Sequence, residues 1–227
     1  MLIGHHFTVN DSGDGFTRLV TATASAGRTT MARLTGVSDS DAGPITRIAF
    51  FFTRRKLRKL AGSDKPALLD PLRMYAYLPK VLNAYGRLEQ AQSTLEKVLS
   101  ARHRALAELK AATTVRCEYC IDLGSAIARR WGITDEELLA LADYQNAVCF
   151  SDVDKLVLDY ATAVSRTPVN VSEQLFDDLR AHFDEAALVA MTQIVALENM
   201  RARFNLALGI ASSGVSGVQV CALPDTD

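Results

Sequence analysis

Net charge is nearly absent from this sequence: 25 Lys and Arg stand against 26 Asp and Glu, a formal charge of -1. Such a balance has no overall pull toward nucleic acid or an acidic surface, so any basic patch must be local. Long apolar runs are missing too. The most apolar stretch, Ile48 to Phe52, is far shorter than the roughly 20 residues that cross a bilayer. The opening MLIGHHFTVNDSGDGFTRLV has no basic segment followed by an apolar one, which argues against a secretory signal peptide. After residue 44 no period-2 run marks a strand, and no internal repeat recurs at a fixed spacing. Cysteine is scarce. The four at 117, 120, 149 and 221 are too few and too unevenly placed for the disulfide framework of a small secreted domain. These absences together point to a cytoplasmic protein in a reducing setting, with neither a membrane nor a nucleic-acid partner.

The 227 residues, 48% hydrophobic and 22% charged, suffice for one full core, as one globular domain or one domain plus an extension, rather than two independent domains. Residues 1–43 are rich in Gly, Ser, Thr and Asp, with a weak strand-like flicker at Phe16 to Val20, and read as a poorly ordered arm. Met31 is a candidate alternative start of translation. Residues 44–210 read as a helical domain, and residues 211–227, with Gly214, Gly217 and Pro224, as an irregular tail.

Within the domain, start and stop signals recur at helical spacing. Pro44 suits a first helical turn, and the run it opens has apolar residues at 45, 48, 49, 52, 57 and 60, a basic outer face (Arg54, Arg55, Lys56, Arg58, Lys59) and a stop at Gly62. That face fits a membrane-surface or partner-binding helix, but a merely solvated basic face is the preferred reading. Pro66, Pro71 and Pro79 divide the next stretch into short helices, Leu68 to Tyr77 and Lys80 to Leu88. Ser100 is a candidate N-cap for a helix through Arg116. A helix from Ile121 to Trp131 stops at Gly132, and Thr134 with Glu137 forms a capping box. Ser151, Ser172 and Asp184 cap three further helices, the last running to Leu208 and stopped by Gly209. The expected fold is therefore all-α, with short connections that favour antiparallel neighbours.

Chemistry concentrates at Cys117-Glu118-Tyr119-Cys120. A cysteine in the first turn of a helix sees a partial positive charge and free N–H groups, both of which favour the reactive thiolate. A second thiol within one turn can resolve a sulfenic acid or a mixed disulfide formed at the first, so a hydroperoxide or a disulfide is the natural electrophile. A structural zinc needs four ligands, and neither a second CxxC nor a spaced His pair is present. Two buried, unreactive cysteines remain an alternative.

The segment LAELKAATTVRCEYCIDLGSAIARRWGITDEELLAL resembles the alkylhydroperoxidase-like (carboxymuconolactone decarboxylase) superfamily, and the likeness extends to Ala196 to Asn205 near the C-terminus. The resemblance implies an all-α alkylhydroperoxidase-like helical bundle that assembles as a homo-oligomer, reduces hydroperoxides or exchanges disulfides without a cofactor, and is recharged by a reducing thiol partner protein. By position, Cys120 is the attacking thiol and Cys117 the resolving one. The peroxidase members also use a His four residues after the second cysteine and a Glu twelve before the first. Here those positions hold Gly124 and Ala105, and neither moves a proton.

Glu108, three residues beyond Ala105 and on the same helical face, is the candidate substitute carboxylate, against its reading as an ordinary surface Glu. Asp122 and Glu118 disfavour a thiolate if their charges face the sulfurs. Tyr119 reads as a packed aromatic rather than a phenol donor. His5, His6, His103 and His182 have no position that makes them convincing bases. Glu198, Asn199, Arg201, Arg203 and Asn205 form a polar set in an apolar helix, read as an ion-pair and amide network in preference to a pocket lining. The rivals to a thiol oxidoreductase are a non-redox, decarboxylase-like enzyme on the same fold and a structural or assembly protein.

Overall fold

The computed structural model describes residues 32–216, and these form helices with no strand. The flicker at Phe16 to Val20, Met31 and Cys221 lie outside the described residues. The chain runs through α1 (Pro44–Ala61), α2 (Asp70–Tyr75), α3 (Pro79–Ala91), α4 (Ala101–Val115), α5 (Glu118–Arg130), α6 (Asp135–Ala140), α7 (Asp152–Ser165), α8 (Glu173–Arg180) and α9 (Glu185–Leu208), with short 3-10 turns at Pro66–Leu69, Gln92–Lys97 and Leu141–Asp143. It is an all-α fold.

Local signals set most of the boundaries. The side chains of Ser100, Thr134, Ser151, Ser172 and Asp184 each accept a backbone N–H in the first turn of the helix they open, at 2.8–3.2 Å. Thr134 with Glu137 and Ser151 with Asp154 close full capping boxes. Gly62 and Gly209 end α1 and α9 in the left-handed conformation, φ 69° and 67°, that only glycine adopts at no steric penalty.

Helix α4 is the hub, packed against α5, α7 and α9. Its run from Ala105 to Thr113 is buried except at Glu108, so it lacks a polar face, as befits a helix surrounded by others. The main core joins α4, α7 and α9 through Leu106, Leu109, Val157, Leu158, Met191 and Ile194. A second cluster wraps the cysteine pair, and a third lies under α1 and α2.

Helix α1 overturns one expectation. Its stripe at Ile45, Ile48 and Phe52 faces outward, 57–77% exposed, while Thr46 and Phe50 are the residues it buries. Phe50 fills the third cluster and takes Arg73 over its ring at 5.3 Å, an anchor that rotates the helix so that its more continuous apolar stripe stays outside.

Residues 32–43, assigned from sequence to the arm, have no helix or strand but are tied down by backbone bonds. Arg33 N donates to Leu208 O at 2.8 Å, and Val37 N to Arg73 O at 3.1 Å. Asp39 bridges Arg54 (2.6 Å) and Arg73 (2.7 Å).

Candidate functional site

The cysteine pair sits at a helix-to-helix corner. Helix α4 ends at Arg116, a non-glycine residue held at φ 61°. Behind it, Cys117 N donates to Ala112 O (3.0 Å) and Arg116 N to Thr113 O (3.1 Å), the paired bonds of a Schellman ending. Left-handed backbone is unfavourable for a side chain as large as Arg, and its use here fixes the direction in which Cys117 leaves α4. Cys117 thereby becomes the N-cap of α5, and its Sγ accepts the Cys120 N–H at 3.2 Å. The two sulfurs are joined in a disulfide, with the Cα atoms 5.2 Å apart.

Cys117 is fully buried and Cys120 retains 8% exposure, so Cys120 is the less enclosed of the two residues. Met74, Ala112, Ile121, Ala202 and Ile210 wall the pair. Among the described residues, one polar side chain donates to the sulfurs through its own polar group. From α9, Asn205 directs its Nδ2 to Cys120 Sγ at 3.4 Å and to Cys117 Sγ at 3.9 Å. Its Oδ1 is buried and has no partner among the described residues.

The nearby charges are turned to other tasks. Glu118 is exposed. Asp122 accepts from Ser213 Oγ (2.8 Å), Val215 N (2.9 Å) and Ser216 N (2.8 Å). Burial pushes its carboxyl up, but those donors more than offset the effect and hold it below the usual carboxylate range. The anchored segment, residues 213–216, lies across α5 and is tied down again by Arg129 Nη1 to Ser216 O at 3.1 Å. Tyr119 is both packed and bonded, donating its phenol to Leu68 O at 2.7 Å, while burial pushes its titration far up.

A carboxylate cluster adjoins the shell. Arg201 grips Glu89 of α3 through Nε and Nη2 at 2.7–2.9 Å. Its Nη1 donates to Glu198 Oε2 at 2.9 Å and lies 3.8 Å from Glu108. Arg104 reaches Glu108 at 3.4 Å. Burial pushes Glu198 up to about 7, with Arg201 opposing and Glu108 and Glu89 adding to the rise. Burial acts the same way on Glu89, but the Arg201 charge and the Tyr85 and Arg201 hydrogen bonds outweigh it and hold that carboxyl down.

Cys117 and Cys120 therefore meet as their spacing implies. Glu108 bonds to Arg104 and Arg201 rather than to a sulfur, so it belongs to the ion-pair network. His103 faces Asp154 (3.7 Å) and the edge of Phe183. At Gly124, an added Cβ would meet Leu109 Cδ2 at 3.1 Å; the position is a close α4–α5 contact rather than an open place for a base. Asn199 and Arg203 bond to each other (2.6 Å) and to Ser165 of α7, confirming the amide network there. Sequence reading placed Asn205 in that network as well and missed its contact with the sulfurs. The one signal available was its register with Glu198 and Arg201 on α9. Among the described residues no group of three or more His, Cys, Asp or Glu can hold a metal ion, and no helix is long and apolar enough to cross a membrane.

The described residues thus form an all-α fold with a disulfide-bonded cysteine pair at the start of one helix. Residues 79–163 match the Carboxymuconolactone decarboxylase family. The chain is 36% identical over 163 residues to the uncharacterized protein YnjA of Escherichia coli, covering 70% of this chain and 84% of that protein, and 23% identical over 123 residues to the uncharacterized protein YdfG of Bacillus subtilis, covering 54% and 84%. Among solved structures, an uncharacterized peroxidase-related protein of Ralstonia eutropha with an alkylhydroperoxidase AhpD core superposes with a TM-score of 0.64 at 20% identity, covering 81% of this chain and 93% of that one. The debrominase Bmp8 superposes with a TM-score of 0.65 at 20% identity, covering 82% and 95%. The chain belongs to the carboxymuconolactone decarboxylase family, with an AhpD-like fold.

Proposed function

We propose that this protein is a thiol-dependent oxidoreductase that reduces hydroperoxides, or exchanges disulfides, through Cys117 and Cys120. The observation that carries the reading is the bonded sulfur pair at the N-terminus of α5, with the Asn205 amide directed at the Cys120 sulfur. In the reduced form the Cys120 sulfur attacks the terminal oxygen of a hydroperoxide. An S–O bond forms, the O–O bond breaks, and the alkoxide leaves as an alcohol after taking up the proton that Cys120 gave up. Cys117 then attacks the Cys120 sulfur. The S–S bond forms, the S–O bond breaks, and hydroxide leaves as water with the Cys117 proton. The sum is dithiol plus hydroperoxide to disulfide, alcohol and water.

Recharging follows from the difference in burial. A dithiol partner attacks Cys120, and Cys117 departs as a thiolate that keeps the Cys120 N–H and the positive end of α5. The Asn205 N–H supports the corresponding charge on Cys120, taking over part of the stabilisation for which Gly124 and Ala105 offer no polar group. The same pair can act on other soft electrophiles, so a bromopyrrole belongs in a substrate panel alongside peroxides, given the debrominase fold relative. Counting free thiols before and after one equivalent of cumene hydroperoxide tests the reading. The loss of two thiols per chain, prevented in Cys120→Ser, supports it; unchanged thiols in the wild type refute it.

A further inference from the structure

Helix α1 leaves its richer apolar side in water. It buries Thr46 and Phe50, and Leu57 packs against the third cluster beside them. At about 100° per residue these three share one side of the helix, and Ile45, Ile48, Phe51 and Phe52 fall on the other, centred on Ile48. All four are 57–77% exposed, and the rings of Phe51 and Phe52 meet edge to face with centroids 5.5 Å apart. Large side chains exposed to this extent leave on the order of 500 Å² of contiguous apolar surface on each chain. A patch of that size marks an interaction surface.

The same outward side continues into Arg55, Lys56 and Lys59, which are exposed, whereas Arg54 pairs with Asp39 and Arg58 with Asp64. Apolar and cationic residues are thus segregated along the axis rather than around it. A helix lying on a lipid surface needs cations flanking an apolar stripe along its length, so that they reach the headgroups as the stripe sinks. Here Arg55 and Lys59 stand near the middle of the outward side, which opposes that fit. Two copies of α1 fit better. Laid antiparallel with their apolar halves stacked, they carry their cationic ends about 24 Å apart along the axes, well beyond the screening length of about 8 Å at physiological salt. The stacked patches remove on the order of 1,000 Å² from water, close to the lower bound of about 1,200 Å² for a stable interface. The rest of this 18-residue helix supplies the flanking contacts that close the gap.

We propose that α1 is the docking face for a second copy of this chain, the two helices antiparallel across a two-fold axis near Ile48, with Ile45, Ile48, Phe51 and Phe52 of each copy covering those of the other. A two-fold contact requires one patch to complement itself, and an apolar patch with its charges displaced to one end does so. These four side chains carry no hydrogen-bonding or charged group by which a different protein would be selected. The pairing is independent of the cysteine chemistry.

The test is sedimentation velocity on the full-length protein, in wild type and in the double variant Ile48→Glu with Phe52→Glu, together with oxidative cross-linking of Ile48→Cys. Both substituted residues are more than half exposed in the single chain, so the double variant should keep the circular dichroism of the wild type. The wild type is expected at twice the mass of one chain or an even multiple of it. Losing a central anchor weakens association about 30-fold or more, and each substitution occurs twice across a two-fold axis, so the double variant should associate at least about 1,000-fold more weakly and sediment at half the wild-type mass or less. Mild oxidation should link Ile48→Cys into a dimer but leave Val148→Cys, on the 95% exposed position before α7, unlinked. A monomeric wild type, or an assembly that the double variant leaves intact, overturns the proposal. So does a wild-type monomer that floats with phosphatidylserine-containing vesicles and loses that binding in the double variant, which assigns the face to lipid. Should the double variant not fold, the cross-linking decides: equal linkage, or none, at positions 48 and 148 overturns the proposal.

Discussion

The carboxamide nitrogen of Asn205 lies 3.4 Å from Cys120 Sγ, joining two residues 85 positions apart in the chain. It is the one polar side-chain donor that reaches this sulfur among the described residues, and it comes from α9, whereas the sulfur is on α5. A hydrogen bond to a charged group is worth about 1.5–3 kcal/mol. Asn205→Ala is therefore expected to slow peroxide oxidation and alkylation of Cys120 by about 10- to 100-fold at neutral pH. Measuring alkylation rate against pH checks this: the profile of the variant should shift to higher pH, as expected for a less stabilised thiolate.

Restoring a histidine at 124 is not expected to create a peroxidase relay. The Cβ of any side chain there comes to 3.1 Å from Leu109 Cδ2, and the α4–α5 contact must yield to admit an imidazole. Overpacking of this kind costs about 1–3 kcal/mol. Gly124→His should lower the urea midpoint and leave the peroxide rate no higher than wild type.

Removing Arg201 strands Glu89 and Glu198 without their shared cation. Breaking a buried pair from one side costs about 3–5 kcal/mol, and the partial exposure of Glu89 and Arg201 reduces this to about 2–4 kcal/mol. Urea unfolding of Arg201→Ala at pH 8 should show that loss. A smaller loss is expected at pH 6, where Glu198 holds its proton.

Glu198 also makes a signed prediction for stability against pH. Its carboxyl ionises near 7 in the folded chain against an ordinary value of 4.5, so between those values the folded state binds more protons than the unfolded one. Its contribution to stability is complete below about pH 4.5 and is lost as pH rises through about 7, on the order of 3 kcal/mol in total. Asp122, Asp154 and Glu137 are held low instead and lose their contributions as pH falls through their depressed values. Because these trends oppose one another, the difference between wild type and Glu198→Gln isolates the Glu198 effect. That difference should fall between pH 4.5 and 7 and be flat above.

The helix starts were legible because capping is local: Ser100, Thr134, Ser151, Ser172 and Asp184 each bond to a backbone N–H three residues on. The cysteine corner was legible for the same reason. The inward face of α1 was not, since the apolar spacing favoured Ile45, Ile48 and Phe52, while the contacts that decide the matter pair Phe50 with Arg73 and the third cluster. Glu108 was read by its register with Ala105, and that register says nothing of Arg201, which meets it from another helix. Asn205 was hidden for a like reason, because its significance depends on a crossing of α5 and α9 that no local pattern encodes.

Whether Cys120 attacks and Cys117 resolves is decided by single-turnover peroxide kinetics on reduced wild type, Cys117→Ser and Cys120→Ser, with the products weighed by mass spectrometry. The wild type should form the Cys117–Cys120 disulfide, Cys117→Ser should react and stop at a Cys120 sulfenic acid, and Cys120→Ser should consume peroxide no faster than a free thiol in solution. Equal, slow consumption by all three proteins would contradict these roles.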